Sequence, residues 1–350
     1  MAEAEAGDSP RRGRSPKRLL VVGVGIALVV LTFAYLLPRI ADYRDVWDVI
    51  TTLTWEWAVA LVAATALNVL TFAPPWMVTL PGLNIRSSLA LTQASTALTY
   101  LVPGGAAVGL ASSFGLLRSW GFSASAISRA VTLTGVWNQF ANFTFPIVAL
   151  FLLTATGSPG GLLTTAAFVG AAVLGVAVAG FAVALWSAEL AREIGDVAAT
   201  FVSWVLAKVR RGPVGPWGEP FARFREDTVD LLHRRWHVLT LATLAGQLTV
   251  FLVLLLCLRA FEVPGSEVSL VEAFAAWSLA RLLTIVPLTP GGLGVVELGL
   301  TGALVGFGGA NAPVVAAVLV YRFLTVVPTL ALGLLALATW KRHRPLPEGA

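Results

Sequence analysis

The sequence predicts an all-α protein that crosses a membrane several times. The mean hydropathy is +0.81 and only 12% of the 350 residues are charged, which leaves more apolar surface than a soluble chain of this length can bury. Six apolar runs are each long enough for a helix across about 30 Å of hydrocarbon, which takes about 20 residues. Two further apolar stretches are interrupted by Pro-Gly-Gly.

The six runs divide the chain into two membrane halves. They span Leu19 to Leu37, Trp57 to Leu80, Ala130 to Leu153, Leu162 to Trp186, Val238 to Leu258 and Ala312 to Trp340. The predicted organisation is a basic tail (1–18), a first membrane half (19–186), an amphipathic linker (187–237), a second membrane half (238–340) and a tail (341–350).

The distribution of basic residues predicts the orientation. If the N-terminus is inside, most of the 24 Lys and Arg lie in the tails, the linker and the other cytoplasmic loops. This asymmetry favours cytoplasmic N- and C-termini. The formal net charge of +5 therefore reflects helix orientation, and nucleic acid is not an expected partner.

The two interrupted stretches are Ser88 to Leu117, with Pro103-Gly104-Gly105, and Leu270 to Phe307, with Pro290-Gly291-Gly292. Each is interpreted as two half-length helices that form a re-entrant hairpin, the second half beginning at the proline. The alternative is that each stretch forms two ordinary tilted crossings, because hydropathy does not separate the two arrangements. The order of crossings and hairpins then repeats with opposite sidedness, as in transporters built from inverted repeats.

Glu297 is the one carboxylate predicted inside the apolar layer, seven residues after Pro290. On a continuous helix, residues 290, 294 and 297 share a face, so Gly294 would let a ligand approach the carboxylate. Arg281 and Arg322 are its candidate partners. Buried charges of this kind serve function or hold a bundle together, and the sequence leaves both open.

Polar residues and glycines supply the remaining site candidates. Asn138 and Asn142 share a face of one crossing, where they would line a polar path or bond neighbouring helices. The glycines would act as hinges, let a ligand approach or allow close packing. The candidate substrate-binding or gating residues are Pro103, Gly104, Gly105, Asn138, Asn142, Arg281, Pro290, Gly291, Gly292, Gly294, Glu297 and Arg322.

The sequence offers few residues that could form a catalytic site. His233, His237 and His343 fall on cytoplasmic flanks without an adjacent set of acidic ligands, and the phosphate-binding motif G-x-x-x-x-G-K-[ST] does not occur. We therefore expect no enzyme activity, metal or cofactor.

The linker, Ser187 to His237, is predicted to contain an amphipathic helix that tethers the two halves or offers a gate or docking surface.

The segments "TPGGLGVVELGLTGALVGFG" and "VVAAVLVYRFLT" resemble the flippase-like membrane domain of the bacterial multiple peptide resistance factor. That domain family is also named the lysylphosphatidylglycerol synthase transmembrane region. "YLVPGGAAVGLASSFGLLRSWGF" and, more loosely, residues 19–344 share the resemblance, although many relatives carry a charge where Gly104 to Leu110 is uncharged. In the family, a separate soluble domain makes aminoacylated phosphatidylglycerol, and the membrane domain moves such lipids between leaflets.

The resemblance implies a flippase without a synthase domain, which moves a phospholipid or another anionic or aminoacylated envelope lipid. A membrane lipid is then the expected partner, and a homo-oligomer is left open. The alternative is a non-transporting scaffold that recruits envelope-lipid or glycan biosynthetic enzymes through the linker.

Overall fold

The computed structural model describes residues 43–101, 105–155, 161–208, 215–285 and 289–339. Every long regular element in these ranges is an α-helix. The helices are α1 (Tyr43–Thr51), α2 (Trp55–Thr71), α3 (Pro74–Thr79), α4 (Ile85–Leu101), α5 (Gly105–Ser119), α6 (Ala124–Ala155), α7 (Gly161–Trp186), α8 (Ala188–Lys208), α9 (Gly218–Ala260), α10 (Leu270–Leu282), α11 (Val295–Gly306) and α12 (Asn311–Thr339). The predicted crossing 19–37 and the tails 1–18 and 341–350 lie outside the described residues.

Four helical ranges are long and apolar enough to cross a membrane: Trp55–Thr79, Ala124–Ala155, Ala222–Ala260 and Asn311–Thr339. They coincide with four predicted crossings, and α7 carries a fifth apolar stretch over the predicted position. Helix α9 has 43 residues and is therefore about 65 Å long, roughly twice the hydrocarbon thickness, so one part of it must extend beyond the bilayer. The prediction of an all-α, multi-pass membrane protein is confirmed.

Large apolar side chains cover the outside of the helices. Phe168, Val176 and Leu335 are 61%, 73% and 59% exposed, whereas polar side chains such as Gln247 and Thr301 are buried. A soluble protein has the opposite arrangement, because its exposed surface must contact water. The exposed apolar surface therefore faces lipid.

The core is organised around α9, which packs against α2, α6 and α12. Phe145, Phe251, Phe274 and Trp277 join α6, α9 and α10 through ring contacts with centroids 5.2–5.7 Å apart. Because Trp277 is almost fully buried, this cluster fixes α10 and with it Arg281, one helical turn further along.

Both interrupted stretches form two helices, as predicted. Helices α4 and α5 pack closely together, because a Cβ on Gly105 would overlap the backbone of Thr99. Helices α10 and α11 have 13 and 12 residues, about 20 and 18 Å, less than the roughly 30 Å of hydrocarbon. These lengths suit half-helices; the re-entrant path itself stays a prediction.

The start of α11 differs from the expectation that Pro290 begins the second half-helix. Pro290–Gly292 forms one 3-10 turn, and α11 begins only at Val295. Gly291, Gly292 and Gly294 have φ values of 61°, 70° and 85°, a left-handed backbone that glycine adopts readily and a right-handed helix does not. The prediction that residues 290, 294 and 297 share one helical face was therefore wrong.

The linker forms a helical hairpin of α8 and the first part of α9. Arg192 Nε lies 2.9 Å from Glu219 Oε1, and the backbone N–H of Gly218 donates to Asp196 Oδ1 at 2.9 Å. Arg225 donates to the carbonyl oxygens of Leu185 and Trp186, which ties α9 to the end of α7. The predicted linker helix is present over Ala188–Lys208, and these bonds attach it to α9; its role as a tether, gate or docking surface stays a prediction.

Candidate functional site

Glu297 lies in the first turn of α11 and is 1% exposed. Its Oε2 accepts a hydrogen bond from the backbone N–H of Gly294 at 2.7 Å, and its Oε1 accepts one from Arg322 Nε at 2.8 Å. The positive end of the helix dipole also favours a carboxylate at this position. Both carboxylate oxygens are thus engaged, and Glu297 sits at the start of its helix instead of two turns into it.

Arg322 connects α12 to the glycine turn that precedes α11. Besides the bond to Glu297, its Nη2 donates to the carbonyl oxygen of Gly291 at 3.3 Å, and its side chain is 11% exposed. Of the two partners expected for Glu297, the structure selects Arg322. The resulting ion pair holds three segments together: the turn, the start of α11 and the middle of α12.

The two interrupted stretches meet beside this ion pair. A Cβ on Gly291 would overlap the ring of Tyr100 near the end of α4, so the absence of a side chain lets the ring pack on the turn. Gly333 allows a similarly close approach of α12 to α4, at the backbone of Gln93. Pro103 and Gly104 lie outside the described residues, whereas Gly105 begins α5.

Arg281 occupies the last turn of α10 and bonds to a different helix. Its Nη2 donates to Asn142 Oδ1 at 2.9 Å, and its guanidinium lies over the ring of Trp277, 5.0 Å from the centroid. Among the described residues it forms no salt bridge, and its buried Nε has no hydrogen-bond partner. Arg281 is therefore not the partner of Glu297.

Asn138 and Asn142 both make bonds between helices. Asn138 Oδ1 accepts from Gln247 Nε2 on α9 at 2.7 Å, and Asn142 accepts from Arg281 on α10 as above. Asn142 Nδ2 also donates to Gln139 Oε1 at 3.0 Å. The predicted polar face of α6 is therefore the seam along which α9 and α10 attach.

A cavity of about 220 Å³ opens between α3, α4, α5 and α6. Its polar lining comes from Ser95, Thr96, Thr99, Ser113, Thr134 and Asn138. The lining residues carry no charge, and Asn138 lies one helical turn from Asn142. The cavity can therefore take an uncharged polar group. Within the described ranges, no three His, Cys, Asp or Glu side chains are grouped to hold a metal ion.

Comparison with known families identifies the chain. The sequence profile of the lysylphosphatidylglycerol synthase TM region matches residues 20–333. The chain belongs to this family. The family is a membrane domain associated with lipid modification or flipping. Comparison with curated proteins gives no match.

The match to the lysylphosphatidylglycerol synthase TM region includes both interrupted stretches, Glu297, Arg322 and the cavity. Sequence reasoning missed Tyr100 and the hydroxyl residues of the cavity. The sequence contains one signal for the cavity, because Ser95 and Thr99 are one helical turn apart in an apolar helix. This signal is weak, since such hydroxyl groups usually bond to their own helix, as Thr99 does to the carbonyl oxygen of Ser95.

Proposed function

We propose that this protein is a lipid transporter that moves an anionic or aminoacylated phospholipid between the leaflets of a bacterial plasma membrane. The proposal includes cytoplasmic termini, oppositely oriented re-entrant hairpins and no chemical change to the lipid. The observation that carries it is the contact of Tyr100 with Gly291, beside the buried pair of Glu297 and Arg322, in a bundle whose outside is apolar.

A transported headgroup needs polar surface that is shielded from hydrocarbon, because polar groups lose their hydrogen bonds to water inside the bilayer. The cavity of about 220 Å³ has the volume of roughly seven water molecules at about 30 Å³ each. A small headgroup fits this space, while the acyl chains stay in the surrounding lipid. The lining hydroxyls and amide can replace the hydrogen bonds that the headgroup loses.

Alternating access would be achieved by a change at the contact between the two halves. Separation of Tyr100 from Gly291 opens a route along the glycine turn, whose left-handed residues have no side chains to block it. The bonds from Arg322 to Glu297 and to Gly291 hold the turn in the conformation seen here. The ion pair therefore serves as the latch of this movement.

Transport is tested with the full chain in phosphatidylcholine vesicles that contain a trace of fluorescent phosphatidylglycerol in both leaflets. Dithionite bleaches the outer leaflet only, so protein-free vesicles keep about half of their fluorescence. Vesicles with the protein should lose nearly all of it, with or without an imposed pH gradient. A plateau at half under both conditions refutes the proposal.

The latch is tested by the same assay with Glu297→Gln. Rates are compared per folded protein, and Arg192→Gln, which removes an exposed ion pair, is the matched control. Glu297→Gln should change the rate while Arg192→Gln should not. A folded Glu297→Gln protein with the wild-type rate removes the carboxylate from this mechanism.

A scaffold is the second candidate, and the hairpin of α8 and α9 favours it. The hairpin is held by its own ion pair, and Val197 and Trp204 on α8 are 69% and 55% exposed. Deletion of α8 with a short flexible replacement distinguishes the two functions. If the protein is a transporter, the deletion variant keeps its lipid flux in vesicles. If the protein is a scaffold, neither the wild type nor the variant transports lipid, and the variant fails to retain envelope-lipid enzymes at the membrane.

A further inference from the structure

We infer that Arg281 is the receptor for the phosphate group of the transported lipid, with Asn142 as its positioning partner. The inference rests on the proposed function and names the chemistry of its substrate: a phosphodiester monoanion attached to an uncharged, hydrogen-bonding headgroup.

Arg281 is placed deep in the bundle by α10. The helix begins behind a capping box in which Ser269 and Glu272 bond each other's backbone N–H groups, a polar start that suits the membrane surface. Arg281 follows Leu270 by 11 positions (281 minus 270), about 17 Å along the axis. This distance is just over half of the roughly 30 Å of hydrocarbon, which is where a lipid headgroup must pass.

The charge of Arg281 is uncompensated by the part of the protein that is described. Arg322 has Glu297, but the described contacts of Arg281 are a neutral amide and the face of an indole. A guanidinium stays protonated under all ordinary conditions and is costly to bury without a counter-ion. A site that holds such a charge in the membrane is therefore a site for an anion that comes from elsewhere.

The geometry leaves donors of Arg281 available. Of its five N–H groups, the described hydrogen bonds engage one, at Nη2, and Nε is buried without a partner. The guanidinium carbon lies 5.0 Å from the centroid of the Trp277 ring, and the hydrogen bond to Asn142 holds one of its two amino groups. A planar, oriented fork of this kind matches two oxygens of a phosphate.

The surroundings of Arg281 fit the remainder of the headgroup. The phenols of Tyr100 and Tyr321 lie within electrostatic range of both Arg281 and Arg322, so this site adjoins the contact between the two halves. The uncharged polar cavity begins at Asn138, one turn of α6 from Asn142. Asn142, which holds Arg281, is thus on the same face of α6 as a residue that lines the cavity, and the inference places the hydroxylated part of the headgroup on this side of Arg281.

The test measures the thermal unfolding midpoint of the full chain in a neutral detergent with added dihexanoyl phosphatidylglycerol. The wild type should be stabilised, and Arg281→Gln should need an at least roughly tenfold higher concentration for the same shift, since it loses a charge-assisted contact. Arg281→Lys should keep part of the response. Arg118→Gln is the matched control, because it removes an exposed cation at the end of α5, and should respond like the wild type.

A second variant keeps the arginine and removes its need for an external anion. Asn142→Asp places a carboxylate oxygen where the amide oxygen now lies, 2.9 Å from Nη2, and the exposed Gln139 can turn its amide to donate instead. This variant should be as stable as the wild type or more so without lipid, and it should lose the response to phosphatidylglycerol. It tests the inference even if Arg281→Gln does not fold.

Sodium phosphate in place of the lipid distinguishes the source of the anion. A response to the lipid alone assigns the site to a headgroup, and an equal response to phosphate assigns it to an anion from solution. No response of the wild type to either, or equal responses of the wild type, Arg281→Gln and Asn142→Asp, overturns the inference. Transport in vesicles is measured separately. If Arg281→Gln transports lipid and also binds it normally, Arg281 is not the phosphate site, although the protein is still a transporter.

Discussion

Removal of one partner of the ion pair between Glu297 and Arg322 should destabilise the protein far more than removal of one partner of a surface pair of similar length. The N–O distances are 2.8 Å for this pair and 2.9 Å for Arg192 with Glu219. The side-chain exposures are 11% and 1% for the first pair but 47% and 67% for the second. Glu297→Gln should cost about 3–5 kcal/mol, whereas Arg192→Gln should cost less than about 1 kcal/mol.

The two charges of the buried pair should be coupled. Removal of Glu297 leaves a buried guanidinium that cannot lose its proton, and removal of Arg322 leaves a buried carboxyl group without its cation.

Arg322→Gln should therefore destabilise the protein by about 3–5 kcal/mol, as Glu297→Gln does. The double variant Glu297→Gln with Arg322→Gln should lose less than the sum of the single variants, because no buried charge remains.

The assay is thermal unfolding of the full chain in detergent at pH 7, followed by helical circular dichroism. At about 2 °C per kcal/mol, Glu297→Gln should lower the midpoint by roughly 6–10 °C and Arg192→Gln by less than about 2 °C. Equal small shifts for these two variants would refute the role of burial. A double variant that loses the sum of the two single losses would refute the coupling of the two charges.

Three further predictions test the packing by the same unfolding assay or by labelling. Gly291→Ala should destabilise by about 1–3 kcal/mol because of its positive φ and the ring of Tyr100, whereas Gly302→Ala, in open space within α11, should be neutral or stabilise by up to about 1 kcal/mol. Gly333→Ala should separate α12 from α4 and cost about 1–3 kcal/mol; an unchanged midpoint contradicts the close contact. Cys257 is fully buried, so a membrane-permeant maleimide should label it only after denaturation, and labelling of the native chain contradicts the core.

Much of the fold could be predicted because the relevant signals are local. The length of an apolar run can be counted directly in the sequence, so the helices Ala124–Ala155 and Asn311–Thr339 follow from hydropathy alone. Proline and glycine interrupt a helix wherever they occur together, which is why both broken stretches were found. The amphipathic spacing in the linker likewise predicts α8.

The start of α11 was mispredicted because two local signals compete. Proline favours the first turn of a helix, which suggested a start at Pro290. The three left-handed glycines extend the turn to Gly294, and Glu297 then bonds back to the N–H of Gly294, three residues earlier. A glycine at the N-cap and an acidic residue in the first turn are also signals for a helix start, and here these signals prevailed.

The sequence by itself determined that this chain is a multi-pass membrane protein with two broken helices and a small set of charged residues among them. Only the tertiary structure decided that Glu297 pairs with Arg322 while Arg281 bonds to Asn142. The two arginines are equally plausible partners along the chain, since both lie in apolar surroundings and neither is in the same helix as Glu297. The choice depends on which helix faces are in contact, and that follows from the packing of α10 on α6 and of α12 on α11.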